Sequence, residues 1–259
     1  MKNKIIIFQY IKKTIIYKFI KLIYYKIHNL KFIKKYQTIN GTYYLPIFAF
    51  KDVIRNKIIN NEIYQEEIVN LAKNFIKPNS IVLDVGANYG QMSVIFSKSH
   101  NNVKVYSFEA QRFIFNILKK NVAINNVNIK CFYNLVGNLN AEVKVKKNNL
   151  GKFMTWGSNN LKITRSNLDY EFIKAIKIDD LNINENISFF KIDVQGMDFE
   201  VLKGARATIA KHKMPILFEY EKEFEEEYGY KFNNIEEFIN SINYKIFKIV
   251  DNNILILPC

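Results

Sequence analysis

Short apolar runs alternate with amphipathic stretches from about residue 60 to the end of the chain. That order predicts an open α/β sheet. Ile81-Val82-Leu83 is a run of β-forming residues that ends in Asp84 and breaks at Gly86. Residues 103–110 (VKVYSFEA) read as a second parallel strand, 128–133 as a third, 189–194 as a fourth and 215–221 as a fifth. Between them the apolar spacing turns helical. Ile68, Leu71, Ala72 and Phe75 form one stripe in 62–76, a short helix follows at 91–98, and Ile114, Leu118 and Val122 form a stripe in 112–124. Gly196 opens a helix with Val201, Leu202, Ala205 and Ile209 inward. Asn233 and Glu236 suggest a capping box for helix 234–242. Residues 244–250 and 254–257 then read as an edge hairpin through Asp251-Asn252-Asn253.

The first fifty residues follow another pattern. Isoleucine, tyrosine and phenylalanine interleave with lysine, and no apolar run approaches the ~20 residues of a membrane span. No small-residue cleavage site follows, which argues against a secretory signal. Lys13, Lys18 and Lys21 fall opposite Ile15, Ile16, Phe19, Ile20, Leu22 and Ile23 on a helical wheel. This predicts an amphipathic helix, either packed on the body or a second subunit, or resting on an anionic membrane surface. The division expected is a basic, apolar, helical segment over 1–50 and one domain over 51–259.

Charge sharpens that division. The net charge is +14, yet residues 1–51 hold eleven lysines and no acid. The remaining 208 residues carry 27 basic and 24 acidic side chains, a balance of +3. Only four of the 38 basic residues are arginine. The near-neutral body and the lack of an interleaved aromatic-basic motif argue against a nucleic-acid partner. The two cysteines, Cys131 and Cys259, match no metal or redox spacing, so a cytoplasmic setting is expected, or a peripheral one at the inner membrane surface.

The chemistry gathers where strands end. A buried strand that breaks into Gly86 and Gly90 and then a helix makes a cofactor crevice in an open α/β sheet. Gly86 would let the backbone approach a ligand. Asp84 accepts hydrogen bonds only, and suits an ammonium group or orders the loop. Glu109 ends the second strand, 19 residues after Gly90, where a carboxylate accepts hydrogen bonds from both hydroxyls of a ribose. Residues 137–175 are the least patterned part of the body and hold the one tryptophan, Trp156, read as a stacking platform for a sugar or base or as a core residue. An insertion there would lie over the carboxyl ends of the strands.

Residues 191–205, KIDVQGMDFEVLKGA, resemble the hallmark stretch of the FkbM-type methyltransferases. IDDL before it, DVGANYG at 84–90 and SFEA at 107–110 stand in that family's order. The resemblance covers roughly residues 60–222. It implies a Rossmann-like class I methyltransferase fold: a mostly parallel seven-stranded sheet with helices on both faces and an antiparallel C-terminal edge strand. It also implies S-adenosylmethionine (SAM) as methyl donor and a hydroxyl of a sugar as acceptor, in a nucleotide-sugar or surface-polysaccharide precursor. The donor site would comprise Asp84, Gly86, Asn88, Gly90, Glu109, Asn134 and Asp193. Trp156, Gln195 and Met197 would face the acceptor. Two positions depart from the family, which commonly has Glu at 195 and often His at 197, so no role of that acid or imidazole carries over.

His28, His100 and His212 lie outside the motifs, so the proton of the attacking hydroxyl is expected to leave through a carboxylate. Asp193 is the first choice, the alternative being an acid that only positions SAM. Glu219, one strand over, would help or bind substrate hydroxyls. Asp193 and Glu219 would also suit a hard cation such as Mg²⁺. An RNA methyltransferase using the basic arm and a non-catalytic SAM-fold scaffold are the competing functions.

Overall fold

A computed structural model describes residues 33–47, 49–146 and 170–259. The amphipathic stretch at 13–23 and Trp156 lie outside these residues. The strands are β1 (Ile33–Thr38), β2 (Gly41–Pro46), β3 (Ile81–Val85), β4 (Lys104–Glu109), β5 (Ile129–Tyr133), β6 (Leu135–Val136), β7 (Ala141–Lys146), β8 (Tyr170–Ile176), β9 (Ile187–Ile192), β10 (Ile216–Glu219), β11 (Tyr244–Val250) and β12 (Asn253–Pro258). The helices used below are α1 (Val53–Ile59), α2 (Glu66–Lys73), α3 (Gln91–Ser97), α4 (Arg112–Asn125), α5 (Asp198–Gly204), α6 (Arg206–His212), α7 (Glu225–Tyr228) and α8 (Phe232–Ser241). Among the described residues no helix is long and apolar enough to cross a membrane.

Seven strands form one sheet in the order β11-β12-β10-β9-β3-β4-β5. Strands β10, β9, β3, β4 and β5 run parallel. This is the class I SAM methyltransferase fold. Every residue of β3 and β9 is buried, because helices cover both faces. Alternation sends Ile81, Leu83 and Val85 into a core with α5, α6 and α8, while Val82 joins α2 and α3 on the other face. The reversed strand is β12, but it is not at the edge. It inserts antiparallel between β10 and β11, and β11 is outermost. The apolar stretch Ile254–Ile256 is buried, whereas Phe247 and Ile249 of β11 are exposed, so the more apolar strand takes the inner place.

The helical expectation for 1–50 fails where it is described. Residues 33–46 form the antiparallel hairpin β1–β2. Asn121 and Asn125 of α4 hold it: their side chains accept from the N–H groups of Tyr44 (2.6 Å) and Thr42 (2.9 Å). Tyr43 and Leu45 bury against Tyr89 and Ile114, so the hairpin shares a core with the body. The cap of α8 also moves: Asn234 accepts from the N–H of Lys231 at 2.9 Å, two residues ahead of the expected box. Within the least patterned stretch, β7 pairs antiparallel with β8.

The chain leaves β3 toward β4 and β5, then crosses back to place β9 on the other side of β3. That reversal opens a crevice beyond the carboxyl ends of β3, β4 and β9.

Candidate active site

An open cleft lies at this switch point. It is lined by Asp84, Gly86, Asn88, Glu109 and Asn134, and on the other side by Asp193, Gln195 and Met197. Gly90 and Glu219 stand behind that lining, and Trp156 is outside the described residues.

The glycines serve the chain's own packing. Gly86 sits at φ +84°, and a Cβ there would overlap the carbonyl oxygen of Asp193. Gly90 also has φ +84°, and its Cβ would lie 2.5 Å from Cδ1 of Leu118. The close approach seen at Gly86 is to the backbone at the end of β9, and Gly86 lines the cleft as well. Glu109 is buried, and both its oxygens bind backbone: Oε2 accepts from the N–H of Asn88 at 3.0 Å and Oε1 from that of Gln111 at 2.7 Å. Burial pushes its carboxyl up to about 7, against the lowering effect of these N–H groups. The N–H of Ala110 also acts on this carboxyl, and two oxygens with about four lone-pair sites keep acceptor capacity beyond these groups.

Asp84 meets an ammonium group, that of Lys191. Lys191 pairs in register with Asp84 across β3 and β9. Its Nζ lies 3.5 Å from Oδ1 of Asp84 and 3.3 Å from Oδ2 of Asp193. The other oxygen of Asp84 accepts from the hydroxyl of Ser93. Burial alone would lower the Lys191 ammonium, but the charges of Asp193 and Asp84 outweigh it and raise it above the ordinary lysine value.

Gln195, at φ +54°, bridges two acids. Its Nε2 donates to Oδ1 of Asp193 at 3.3 Å and to Oε2 of Glu219 at 3.1 Å. Beneath them Asp198 fixes both strand ends, accepting from the N–H of Glu219 at 3.2 Å and of Val194 at 3.4 Å. Burial, then the charge of Asp193, raises Asp198 to about 7. Burial, then the charges of Asp193 and Asp198, raises Glu219 to about 8. Asn134 donates to the carbonyl of Lys174 at 3.1 Å, and Met197 packs with Leu135 and Ile173.

The expected Mg²⁺ is not supported. The Lys191 ammonium already occupies the cation position beside Asp193, and the Gln195 amide fills the space between Asp193 and Glu219. Among the described residues no three His, Cys, Asp or Glu side chains group to hold a metal ion.

The sequence model of the methyltransferase FkbM domain matches residues 84–246, from Asp84 of the glycine loop to β11. The chain belongs to the FkbM methyltransferase family. It is 25% identical over 188 residues to Methyltransferase sdnD of Sordaria araneosa, covering 58% of this chain and 69% of that protein. The crystal structure of Methyltransferase FkbM from Methylobacillus flagellatus KT is similar over 81% of this chain and 56% of its own, at 16% identity and a TM-score of 0.48. SMU.1697c of Streptococcus mutans, described as a putative methyltransferase in complex with SAH, is similar over 75% of this chain and 97% of its own, at 12% identity and a TM-score of 0.48.

Several residues of this FkbM site are absent from the sequence reading. Lys191 is one; its signal was a single lysine inside the apolar run ISFFKI. Asp198 is another, hidden because a first-turn acid reads as an ordinary helix start. Gln91 is the third. Its Oε1 accepts from the N–H of Tyr64 at 3.0 Å and its Nε2 donates to the carbonyl of Glu62 at 2.9 Å, which fastens Tyr64 at the cleft wall.

Proposed function

We propose that this methyltransferase moves a methyl group from SAM to a hydroxyl of a sugar, in a nucleotide-sugar or surface-polysaccharide precursor. The observation that carries this reading is Asp193 in the lining of a cleft that contains Glu109, joined through the Gln195 amide to Glu219 behind that lining. The residues fit the donor. The remaining lone pairs of Glu109 suit the two ribose hydroxyls, and the acids of the lining suit a cation.

When bound, SAM supplies a methyl group on a sulfonium. The chain's part is to hold the acceptor oxygen in line with that methyl and to remove its proton. Asp193 and Glu219 take the proton as a linked pair, with Gln195 keeping their oxygens in register. Lys191 pairs with Asp193 at 3.3 Å, and Glu219 becomes a competent base above about pH 8. Asp198 keeps both strand ends in place. Gln195 and Met197 line the acceptor side, with Trp156 assigned there from the sequence. The acids at the end of β10 and after it, from Glu219 to Glu227, favour the neutral ring of a sugar over a polyphosphate chain.

The test is methyl transfer from labelled SAM to a panel of nucleotide-sugars, with RNA as the competing acceptor. Label on a sugar supports the reading. Label on RNA, or on no sugar while SAM binds, refutes it.

A further inference from the structure

Lys191 is an expensive residue to keep where it is. It lies in a strand with no exposed position and is itself 4% exposed. An apolar residue would suit β9 better, because a buried ammonium is tolerated only when paired. Here it is paired twice, with Asp84 across the strand boundary and with Asp193 two residues on. It is the one cation lining the cleft among the described residues, where the lining acids are Asp84, Glu109 and Asp193. The other groups that act on it or feel its charge are Glu219 on β10, Asp198 at the start of α5 and Tyr64 ahead of α2.

Without this ammonium, Asp84, which is buried, and Asp193, which is half-buried, would be like charges on neighbouring strand ends. One of such a pair takes up a proton, and the charge of the pair then drifts with pH. Resting on the SAM reading above, we propose that Lys191 is a positioning residue for the donor. It pairs with both acids, so that the three groups together present a single net negative charge to the donor's sulfonium. The residue thereby governs how strongly the cleft prefers the cationic donor to its product S-adenosylhomocysteine (SAH), which lacks the sulfonium.

The experiment is calorimetric titration of SAM and SAH into wild type, Lys191→Met, Lys191→Arg and the double variant Lys191→Met with Asp84→Asn, at pH 6.0 and 8.5. The ratio of the SAH to the SAM dissociation constant cancels contacts common to both ligands, including those of Glu109. Titration of the ligands' own amino groups is common to all the proteins and is read from wild type, whereas a changed titration of Glu219 or Asp198 on loss of the Lys191 charge would appear in the double variant as well. In Lys191→Met the ratio is expected to rise at least fivefold more than in wild type between the two pH values. Lys191→Arg keeps the charge and is expected to follow wild type. The double variant removes the like-charge conflict and is also expected to follow wild type, which keeps the test decisive if Lys191→Met does not fold. Equal weakening of both ligands by Lys191→Met at both pH values, or a double variant whose ratio drifts with pH beyond wild type, overturns the proposal. Wild type that binds neither ligand overturns the SAM reading itself, and the two failures are told apart.

Discussion

Replacing Gly86 with alanine places a Cβ against backbone, whereas Gly90→Ala places one against the end of a side chain. Both positions have φ +84°. Forcing an L-residue into left-handed geometry costs about 1–2 kcal/mol at either site. At Gly90 the obstacle is Cδ1 of Leu118 at 2.5 Å, a rotatable methyl that can turn aside. At Gly86 it is the carbonyl of Asp193, which cannot move without shifting the end of β9, and overpacking of that kind adds about 1–3 kcal/mol. Gly86→Ala should therefore lose about 2–5 kcal/mol and Gly90→Ala about 1–2 kcal/mol. Urea denaturation at 25 °C measures both, with unchanged m-values marking a change of stability alone. The Gly86 variant should also transfer methyl groups poorly, because Asp193 moves with its carbonyl. A Gly86→Ala loss under 0.5 kcal/mol, or a larger loss at Gly90, would refute the reasoning.

Glu109→Ala should weaken SAH binding at least tenfold by calorimetry, since a lost charge-assisted hydrogen bond costs about 1.5–3 kcal/mol, and it frees the Asn88 and Gln111 amides as well. Asp193→Asn should slow methyl transfer by about 10²–10⁴-fold in steady-state assays while SAH affinity changes far less. Turnover should rise with pH through about 8, because Glu219 must lose its raised proton to act as base, and Glu219→Gln should abolish that rise. Asp198 has a raised folded value of about 7, so its contribution to stability is present at acid pH and is lost as pH rises through 7. Denaturation at pH 5 and 7.5 should show Asp198→Asn losing less stability over that window than wild type, by on the order of 1 kcal/mol per pH unit.

The parts of this site legible in the sequence are those coded locally. A β-forming run that breaks at Asp84, Gly86 and Gly90 can be read because strand, turn and helix follow within ten residues. Glu109 and Asp193 can be read because each ends an apolar run. What was not legible depends on contacts between distant segments. The reason for Gly86 is the backbone of Asp193, more than a hundred residues away. The pattern IKKYQT at 33–38 has no period that separates strand from helix, and it becomes a strand by pairing with 41–46 and docking on α4. The order of β11 and β12 follows from which hairpin arm is more apolar, a comparison that makes sense only once β10 is known as their neighbour. Lys191 needs both Asp84 and Asp193 in place before its burial has a reason.

The position of the transferred methyl tests the central claim most directly. SAM carrying a ¹³C methyl would be incubated with the acceptor found in the nucleotide-sugar screen, and the product examined by two-dimensional NMR. The account predicts an O–¹³CH₃ signal correlated to one sugar ring carbon, lost with Asp193→Asn. A methyl on nitrogen or carbon, or wild type that binds SAM yet methylates no sugar hydroxyl, would contradict it.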